Sequence, residues 1–230
     1  RELAVAPGDS YNTVLIDVSR NRLEGLLYFS EVSILPVESG QDGYKDLNIQ
    51  VTETSTGSVN VGAGFSSIDN LVGFLDLEQT NFDIMAPPNF TGGGQKFRMS
   101  LKVGSERRDF QVSLVEPWFL DRRLSLGGDL FYEDRFFLSD EYDQRNIGGN
   151  LFLRKPIGEH AFLKGEYKLQ EVQISDIDDE ASPEIQAEEG DFLQSQLGFS
   201  FVHDTRDSFT LPREGHKIEA GASFSGGFLG

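Results

Sequence analysis

The chain has 230 residues with 25 glycines, 19 phenylalanines, one tryptophan and no cysteine, and its formal net charge is -18 at pH 7. The lack of cysteine excludes disulfide bonds and thiolate metal sites. The negative charge argues against nucleic acid as a partner, because phosphate binding requires clustered Lys and Arg. No apolar run approaches the ~18 residues of a membrane helix, although strands that cross a membrane alternate polar and apolar residues and remain compatible with this composition.

The first segment, residues 1–56, contains the one clear helical pattern. Its apolar residues fall on one half of a helical wheel: Leu15, Ile16, Val18, Leu23, Leu26 and Leu27. A turn with possible N-caps precedes them at Pro7, Gly8, Asp9 and Ser10. Two strands are predicted at residues 31–37 and 45–54, separated by a turn-rich stretch. A helix followed by a hairpin indicates part of a small α+β module.

From residue 57 the polar and apolar residues alternate with a period of two as far as the end of the chain. In one example, Leu163, Gly165, Tyr167 and Leu169 alternate with Lys164, Glu166 and Lys168. We predict about nine antiparallel strands, beginning near Val59, Val72, Lys96, Asp109, Arg123, Asn146, Ala161, Phe192 and Gly215. Many of them approach the roughly 9 to 11 residues that span a bilayer.

The connections between these strands tend to alternate in length. Residues 116–122 and 155–160 form compact turns, whereas residues 133–145 and 173–191 are predicted to be long acidic loops. Outer-membrane barrels have short periplasmic turns and long external loops, so the acidic loops are expected to face outward. A soluble β-sandwich has the same period, and strand length together with the Lys- and Glu-rich faces favours the barrel.

No residue pattern supports catalysis, so we expect no enzyme activity and no cofactor. His160, His203 and His216 lie in or beside predicted turns and lack the spacing of a zinc site. One acidic cluster offers the carboxylate oxygens that divalent cations bind. A run of charged residues is more often a solvated segment, so we predict no metal site. The members of the cluster are Asp176, Asp178, Asp179, Glu180, Glu184, Glu188, Glu189 and Asp191.

Three segments in order resemble a known family. Residues 22–32 (RLEGLLYFSEV), 46–51 (DLNIQV) and 56–67 (TGSVNVGAGFSS) are similar to the last POTRA domain and first barrel strand of BamA-like outer-membrane β-barrel assembly factors, which form a POTRA-plus-barrel superfamily. Two later stretches resemble the periplasmic turns of that family; they include Glu116, Pro117, Trp118 and Phe119, and then Asp204, Arg206 and Asp207. From its residues alone, the stretch around Arg206 is predicted to be a turn held by an ion pair of Arg206 with Asp204 or Asp207.

Two features depart from the family pattern. Leu27 stands where the family commonly has Gly, and the family's Val-Arg-Gly-Phe/Tyr motif and closing strands do not occur in the chain. We therefore expect a fragment of a longer protein. Residues 1–56 would be the C-terminal part of the last POTRA domain, and residues 57–230 the N-terminal portion of an antiparallel transmembrane β-barrel, with about nine of 16 strands.

The resemblance implies a function in the bacterial outer membrane, with the POTRA segment in the periplasm. Such proteins fold and insert outer-membrane β-barrel proteins and require no energy cofactor. The implied partners are unfolded outer-membrane proteins, accessory assembly lipoproteins, periplasmic chaperones and the lipid bilayer. Two alternatives stay open: a two-partner-secretion type translocation pore for one exported protein, and a passive porin-like channel.

The candidate site is the first predicted barrel strand, as an edge that pairs with client strands. It comprises Ser58, Val59, Asn60, Val61, Gly62, Ala63, Gly64 and Phe65. We expect this strand to be shorter than the others and weakened by glycine, so that its seam opens and templates an incoming strand. A second candidate edge in the first segment comprises Leu47, Asn48, Ile49, Gln50 and Val51, unless that strand is already paired within its module.

Overall fold

The computed structural model describes residues 2–41, 43–66, 70–139, 142–178, 181–208 and 210–226, without the side chains of residues 66 and 137–139. Its backbone contacts divide the chain into two compact units, Arg1–Gly57 and Ser58–Gly230. The first unit combines a helix with a hairpin, and the second is a β-sheet.

The helix of the first unit, α1, spans Thr13–Gly25. Asn12 is its N-cap, because the Asn12 side chain accepts hydrogen bonds from the backbone N–H groups of Val14 and Leu15, at 2.9 and 3.4 Å. The cap predicted within residues 7–10 is therefore wrong: Asp9 instead accepts from the N–H of Ala6 and closes the preceding turn. The helix also ends before Leu26 and Leu27, which the helical pattern had included.

Strands β1 (Phe29–Glu38) and β2 (Lys45–Glu53) form an antiparallel hairpin against this helix. Ile16 of the helix is buried together with Val32 and Ile34 of β1, and these three side chains form the core of the unit. Buried Ser19 is satisfied, since its hydroxyl donates to the carbonyl of Leu15 and accepts from the N–H of Ala4.

The second unit contains one antiparallel sheet of nine described strands in chain order. They are β3 (Gly57–Ser66), β4 (Asn70–Phe82), β5 (Gln95–Gly104), β6 (Arg107–Glu116), β7 (Ser125–Ser139), β8 (Tyr142–Ile157), β9 (Ala161–Ser175), β10 (Gly190–Asp204) and β11 (Lys217–Ser225). The predicted antiparallel sheet of nine strands is confirmed. The sandwich alternative is wrong, because the described strands of this unit all lie in one sheet whose two edges are β3 and β11.

The strand register separates the sheet into two faces of opposite character. Leu101 of β5 lies opposite Phe110 of β6, which in turn lies opposite Tyr132 of β7. One position along, Lys102 lies opposite Asp109, which lies opposite Glu133. Because successive side chains of a strand point to opposite faces, the first row belongs to an apolar face and the second to a polar face.

The described residues of the acidic stretch 133–145, up to Ser139 and from Tyr142, do not form a long loop, as predicted, but are the paired ends of β7 and β8. Glu133 lies opposite Asn146, Asp134 opposite Arg145, and Ser139 opposite Tyr142. Glu133 to Arg135 alternate between the faces in the same period as the apolar residues, and pairing resumes at Ser139 after a shift in register. The predicted long connection after β9 is present and contains the short helix α2 (Pro183–Gln186), capped by Ser182.

Candidate functional site

The candidate edge lies entirely within β3, whose only described neighbour in the sheet is β4. Val59, Val61 and Phe65 of this strand are among the most exposed apolar side chains, at 63%, 76% and 77%. Gly62 lies against Phe74, which belongs to the polar face. Val59, Val61 and Phe65 are an odd number of positions away from Gly62, so their side chains point to the opposite, apolar face. The edge thus combines open backbone with an apolar row.

The glycines of β3 have different surroundings. A Cβ atom on Gly62 would lie 2.5 Å from Cζ of Phe74, so the ring of Phe74 occupies the space that a side chain would need. A Cβ atom on Gly64 would meet nothing within 4 Å. Gly62 therefore has a packing role that the sequence pattern does not reveal, whereas Gly64 leaves the strand without a side chain at that position.

The expectation that β3 is shorter than the other strands is wrong. It has 10 residues, as do β5 and β6, and β11 has 9. Strands β7 to β10 are longer, at 15 or 16 residues. The contrast in length therefore sets β7 to β10 apart from the other strands and does not distinguish β3.

Ion pairs and aromatic rings stabilise the polar face. Asp109 pairs with Arg107 at 2.5 Å, and Ser100 donates to Asp76 at 2.6 Å. Three cations lie over aromatic rings of other strands: Lys164 over Phe152 and Arg154 over Phe162 on adjacent strands, and Lys168 over Phe131 two strands away, at 5.0, 3.7 and 5.1 Å from the ring centroids. Such contacts keep long cationic side chains ordered on a face rich in charge. The sequence pattern did not identify them, because the partners lie on different strands.

The connection between β10 and β11 is held by the residues that resemble a periplasmic turn. The guanidinium of Arg206 donates to both carboxylate oxygens of Asp204, at 2.8 and 2.7 Å, and this pairing raises the pKa of Arg206. Asp207 accepts from the N–H groups of Arg213 and Glu214, which hold the pKa of its carboxyl below the usual range. Arg206 thus pins the turn through Asp204, and Asp207 closes its far side.

Gly215 is required in the same connection. Its φ of +91° favours glycine, and a Cβ atom there would lie 2.2 Å from the carbonyl oxygen of Thr205. The hydroxyl of Thr205 also accepts from the N–H of His216 at 3.0 Å. The rings of His203 and His216 are tilted neighbours, with centroids 5.2 Å apart. The predicted turn residues are therefore brought together as a rigid structural unit.

The second candidate edge, residues 47–51, lies in β2. Leu47 pairs with Pro36 and Val51 with Val32, so one side of the strand is occupied by β1. In the described part of the first unit the sheet has two strands, and the other side of β2 has no strand beside it. The segment is therefore paired on the side that faces β1, and its opposite side is the candidate edge.

Among the described residues, no three His, Asp or Glu side chains come together as a group able to hold a metal ion. Asp179 and Glu180 of the acidic cluster lie outside the described residues. None of the described helices has the length and apolar character needed to cross a membrane.

Comparison with known proteins identifies relatives over the whole chain. The chain is 28% identical to outer membrane protein assembly factor BamA of Nitratidesulfovibrio vulgaris, over 100% of this chain and 28% of that protein. It is 25% identical to BamA of Neorickettsia risticii, over 98% of this chain and 30% of the relative. The chain thus spans less than a third of the length of these curated relatives.

Solved structures share the fold. The crystal structure of BamA from Haemophilus ducreyi lacking POTRA domains 1–3 matches 97% of this chain and 44% of its own, with a TM-score of 0.73 and 20% identity. CdiB from Acinetobacter baumannii matches 97% of this chain and 42% of its own, with a TM-score of 0.57 and 15% identity. The sheet is therefore the antiparallel sheet of a barrel protein of this kind, left open at β3 and β11 within this chain.

A family model, the Omp85 superfamily domain, matches residues 89–230, which is more than half of the chain. Together with the nine-stranded sheet and its apolar and polar faces, this match shows that the chain belongs to the Omp85 superfamily.

Proposed function

We propose that this chain is part of an outer-membrane protein assembly factor, and that the edge of β3 pairs with strands of the proteins being inserted. Residues 1–56 would belong to the last POTRA domain, in the periplasm, and residues 57–230 to the first part of the transmembrane barrel. The relatives named as assembly factors support this function. The relation to CdiB rests on the fold alone and does not favour a secretion pore.

The observation that carries the proposal is that β3 lies at one edge of the described sheet and has exposed apolar residues on the apolar face. A strand that enters hydrocarbon with unpaired N–H and C=O groups incurs a cost of several kcal/mol for each group. An edge strand at the membrane satisfies those groups by adding the incoming strand to its own sheet. The apolar residues Val59, Val61 and Phe65 would keep such an edge in contact with lipid.

Easy opening of the edge is the second requirement. In a complete barrel β3 would pair with a closing strand, and that pairing must be weak enough to give way to a client. Gly64 leaves one position of β3 without side-chain packing. The 10-residue strands β3, β5 and β6 also span less of a bilayer than β7 to β10, which would thin the membrane near the seam.

The proposed partners follow from this mechanism. Unfolded outer-membrane proteins supply the incoming strands, and periplasmic chaperones and accessory assembly lipoproteins would deliver them on the POTRA side. The second candidate edge, β2, is suited to hold an extended client segment there, since its side away from β1 has no described strand. The strongly acidic connection after β9 would face outward.

Proline scanning of β3 tests the edge. Consecutive residues of a strand donate to opposite sides, so of Asn60 and Val61 one donates toward β4 and the other into the open edge. Proline at either position removes that donor. We expect Asn60→Pro and Val61→Pro each to slow the insertion of a nascent barrel protein into vesicles that contain the full-length protein, by about ten-fold or more for the cost of one unmet hydrogen bond.

Glu189→Pro, in the long connection after β9, is the control for proline itself and should leave insertion at the wild-type rate. Urea unfolding of the same variants separates the two β3 positions: the proline facing β4 lowers stability more than the proline facing the seam, because pairing with the closing strand is the weaker of the two. Equal insertion by all three variants would contradict the proposal.

A further inference from the structure

The connection between β6 and β7, residues 117–124, has an unusual combination of strain, exposure and charge. Leu120 and Asp121 have φ values of 56° and 57°, so two consecutive residues other than glycine adopt the left-handed conformation. This conformation is unfavourable for L-residues with a side chain, and it persists only where the surrounding structure imposes it. The strained backbone displays Leu120, which is 69% exposed.

Short hydrogen bonds hold this turn in place. The N–H of Phe119 donates to the carbonyl of Leu124 at 2.8 Å, and the N–H of Asp121 donates to the carbonyl of Trp118 at 3.0 Å. The carboxylate of Glu116 accepts from the N–H of Trp118 at 2.9 Å. The exposed Leu120 is therefore presented by a fixed scaffold and not by a loose loop.

Two arginines complete the turn. Arg122 and Arg123 are both exposed, and in the described part of the chain neither has an ion-pair partner. Such a basic pair stands out in a chain with 38 acidic and 20 basic residues. Trp118 and Phe119, two residues that favour the interface between membrane and water, are half-buried beside it.

Charge is distributed unequally between the two ends of the sheet. We call the end at which β3 begins the proximal end, with connections at residues 83–94, 117–124, 158–160 and 205–216, and the opposite end the distal end. The connections between strands at the distal end contain eleven acidic and no basic residues, whereas those at the proximal end contain five acidic and four basic residues. Anionic surfaces are therefore repelled by the distal end and tolerated only at the proximal end.

The apolar face runs directly to this turn. Leu114 of β6 and Leu126 of β7 both belong to that face and lie close to the ends of their strands at the turn. The exposed apolar tip Leu120 is followed by exposed Asp121 and then by Arg122 and Arg123, so the turn has a net charge of +1 at the border of an apolar face. This arrangement complements a membrane surface in which phosphates overlie hydrocarbon.

We propose that residues 118–123 form a membrane anchor, in which Leu120 enters the lipid surface and Arg122 and Arg123 bind the phosphates of anionic phospholipids. The anchor rests on the membrane placement given under the proposed function and adds a specific lipid class and site to it. It fixes the depth of the β6–β7 hairpin next to the short strands of the sheet, and so limits how far the thinned bilayer can relax.

Trp118 is the single tryptophan of the chain and lies within the anchor, so its fluorescence reports the contact directly. The full-length protein would be reconstituted into vesicles of phosphatidylcholine and phosphatidylglycerol, with one lipid or the other carrying bromine, a short-range quencher. Subtracting the spectrum of Trp118→Phe isolates the Trp118 signal. The relative association constant of phosphatidylglycerol over phosphatidylcholine should fall about five-fold for each arginine removed, in Arg122→Gln and in the double variant with Arg123→Gln.

Arg108→Gln is the matched control, because it removes the same charge from an exposed residue near the distal end and should leave Trp118 quenching unchanged. A tryptophan at Leu130 on the apolar face, introduced with Trp118→Phe, reports whether the sheet is in the bilayer at all. The anchor is overturned, and membrane placement stands, if the tryptophan at position 130 is quenched while Trp118 is not. The same conclusion follows if the quenching of Trp118 is unchanged when both arginines are replaced. If neither tryptophan is quenched, both fail.

Discussion

Leu27 shows how a single residue can carry strain that its sequence neighbourhood hides. It follows α1 with a φ of 59°, the left-handed conformation in which helices commonly terminate and which glycine adopts without cost. The related family commonly has glycine at this position. The Leu27 side chain is 73% exposed, so little packing offsets the strained backbone.

We therefore predict that Leu27→Gly stabilises the first unit by about 0.5 to 1 kcal/mol. This net value is the backbone strain that glycine removes from the folded state, minus the conformational entropy that glycine adds to the unfolded chain. Hydrogen–deuterium exchange of the α1 amides measures the gain as slower local opening. Leu27→Ala removes the side chain but keeps the Cβ atom, and it should bring no gain. A gain from alanine equal to that from glycine would place the effect in the side chain and refute the backbone explanation.

At the scale of one element, β3 combines two kinds of glycine. Gly62 makes room for the ring of Phe74 on the polar face, so it contributes to pairing with β4 while lacking a side chain of its own. Gly64 has open space around it and contributes only backbone freedom. The same residue type thus strengthens β3 at one position and weakens it two residues later.

Alanine substitution distinguishes the two positions. Gly62→Ala should destabilise the sheet by about 1 to 3 kcal/mol, since the new Cβ atom overlaps the Phe74 ring, whereas Gly64→Ala should stabilise it by about 0.5 to 1 kcal/mol. Urea unfolding in vesicles measures both. Adding Phe74→Ala should make Gly62→Ala nearly neutral; if the double variant keeps the full loss, Phe74 is not the cause.

For the whole molecule, the decisive property is that one sheet has two unlike faces. The cross-strand rows that contain Leu101, Phe110 and Tyr132 are apolar, and the adjacent rows contain ion pairs and cation–aromatic contacts. An apolar row with such exposure is unstable in water without a partner, and bilayer hydrocarbon provides that partner for barrel strands. The polar rows are then left to face water inside a barrel.

Neighbouring residues of β9 test this assignment. Leu169 lies on the apolar face, and Gln170 on the polar face, where its amide donates to Gln194. Leu169→Lys should lower the stability of the vesicle-inserted protein by roughly 2 to 4 kcal/mol if it lies near the bilayer centre, while Gln170→Lys should cost less than about 1 kcal/mol. Urea titration of the inserted protein gives both values. Similar losses for the two variants would mean that both faces meet the same solvent.

The sequence by itself determined the antiparallel sheet of nine strands, because period-two alternation is a local property that each strand carries in its own residues. It also identified the β10–β11 turn, whose Asp, Arg and Gly residues are close in sequence. Four predictions failed: the N-cap before Asn12, the helix end at Leu26 and Leu27, the loop at residues 133–145 and the relative shortness of β3. Each concerned a boundary, and boundaries depend on which of several adjacent polar residues finds a partner.

Only the tertiary structure decided the contacts between strands distant in sequence. The ring of Phe74 over Gly62, the cations over Phe131 and Phe152, and the pairing of Asp134 opposite Arg145 all depend on the register of neighbouring strands. The strain at Leu27 and Leu120 likewise appears only as backbone angles. Register fixes these features because shifting one strand by a single residue would exchange its two faces, and no pattern within one strand records its partner.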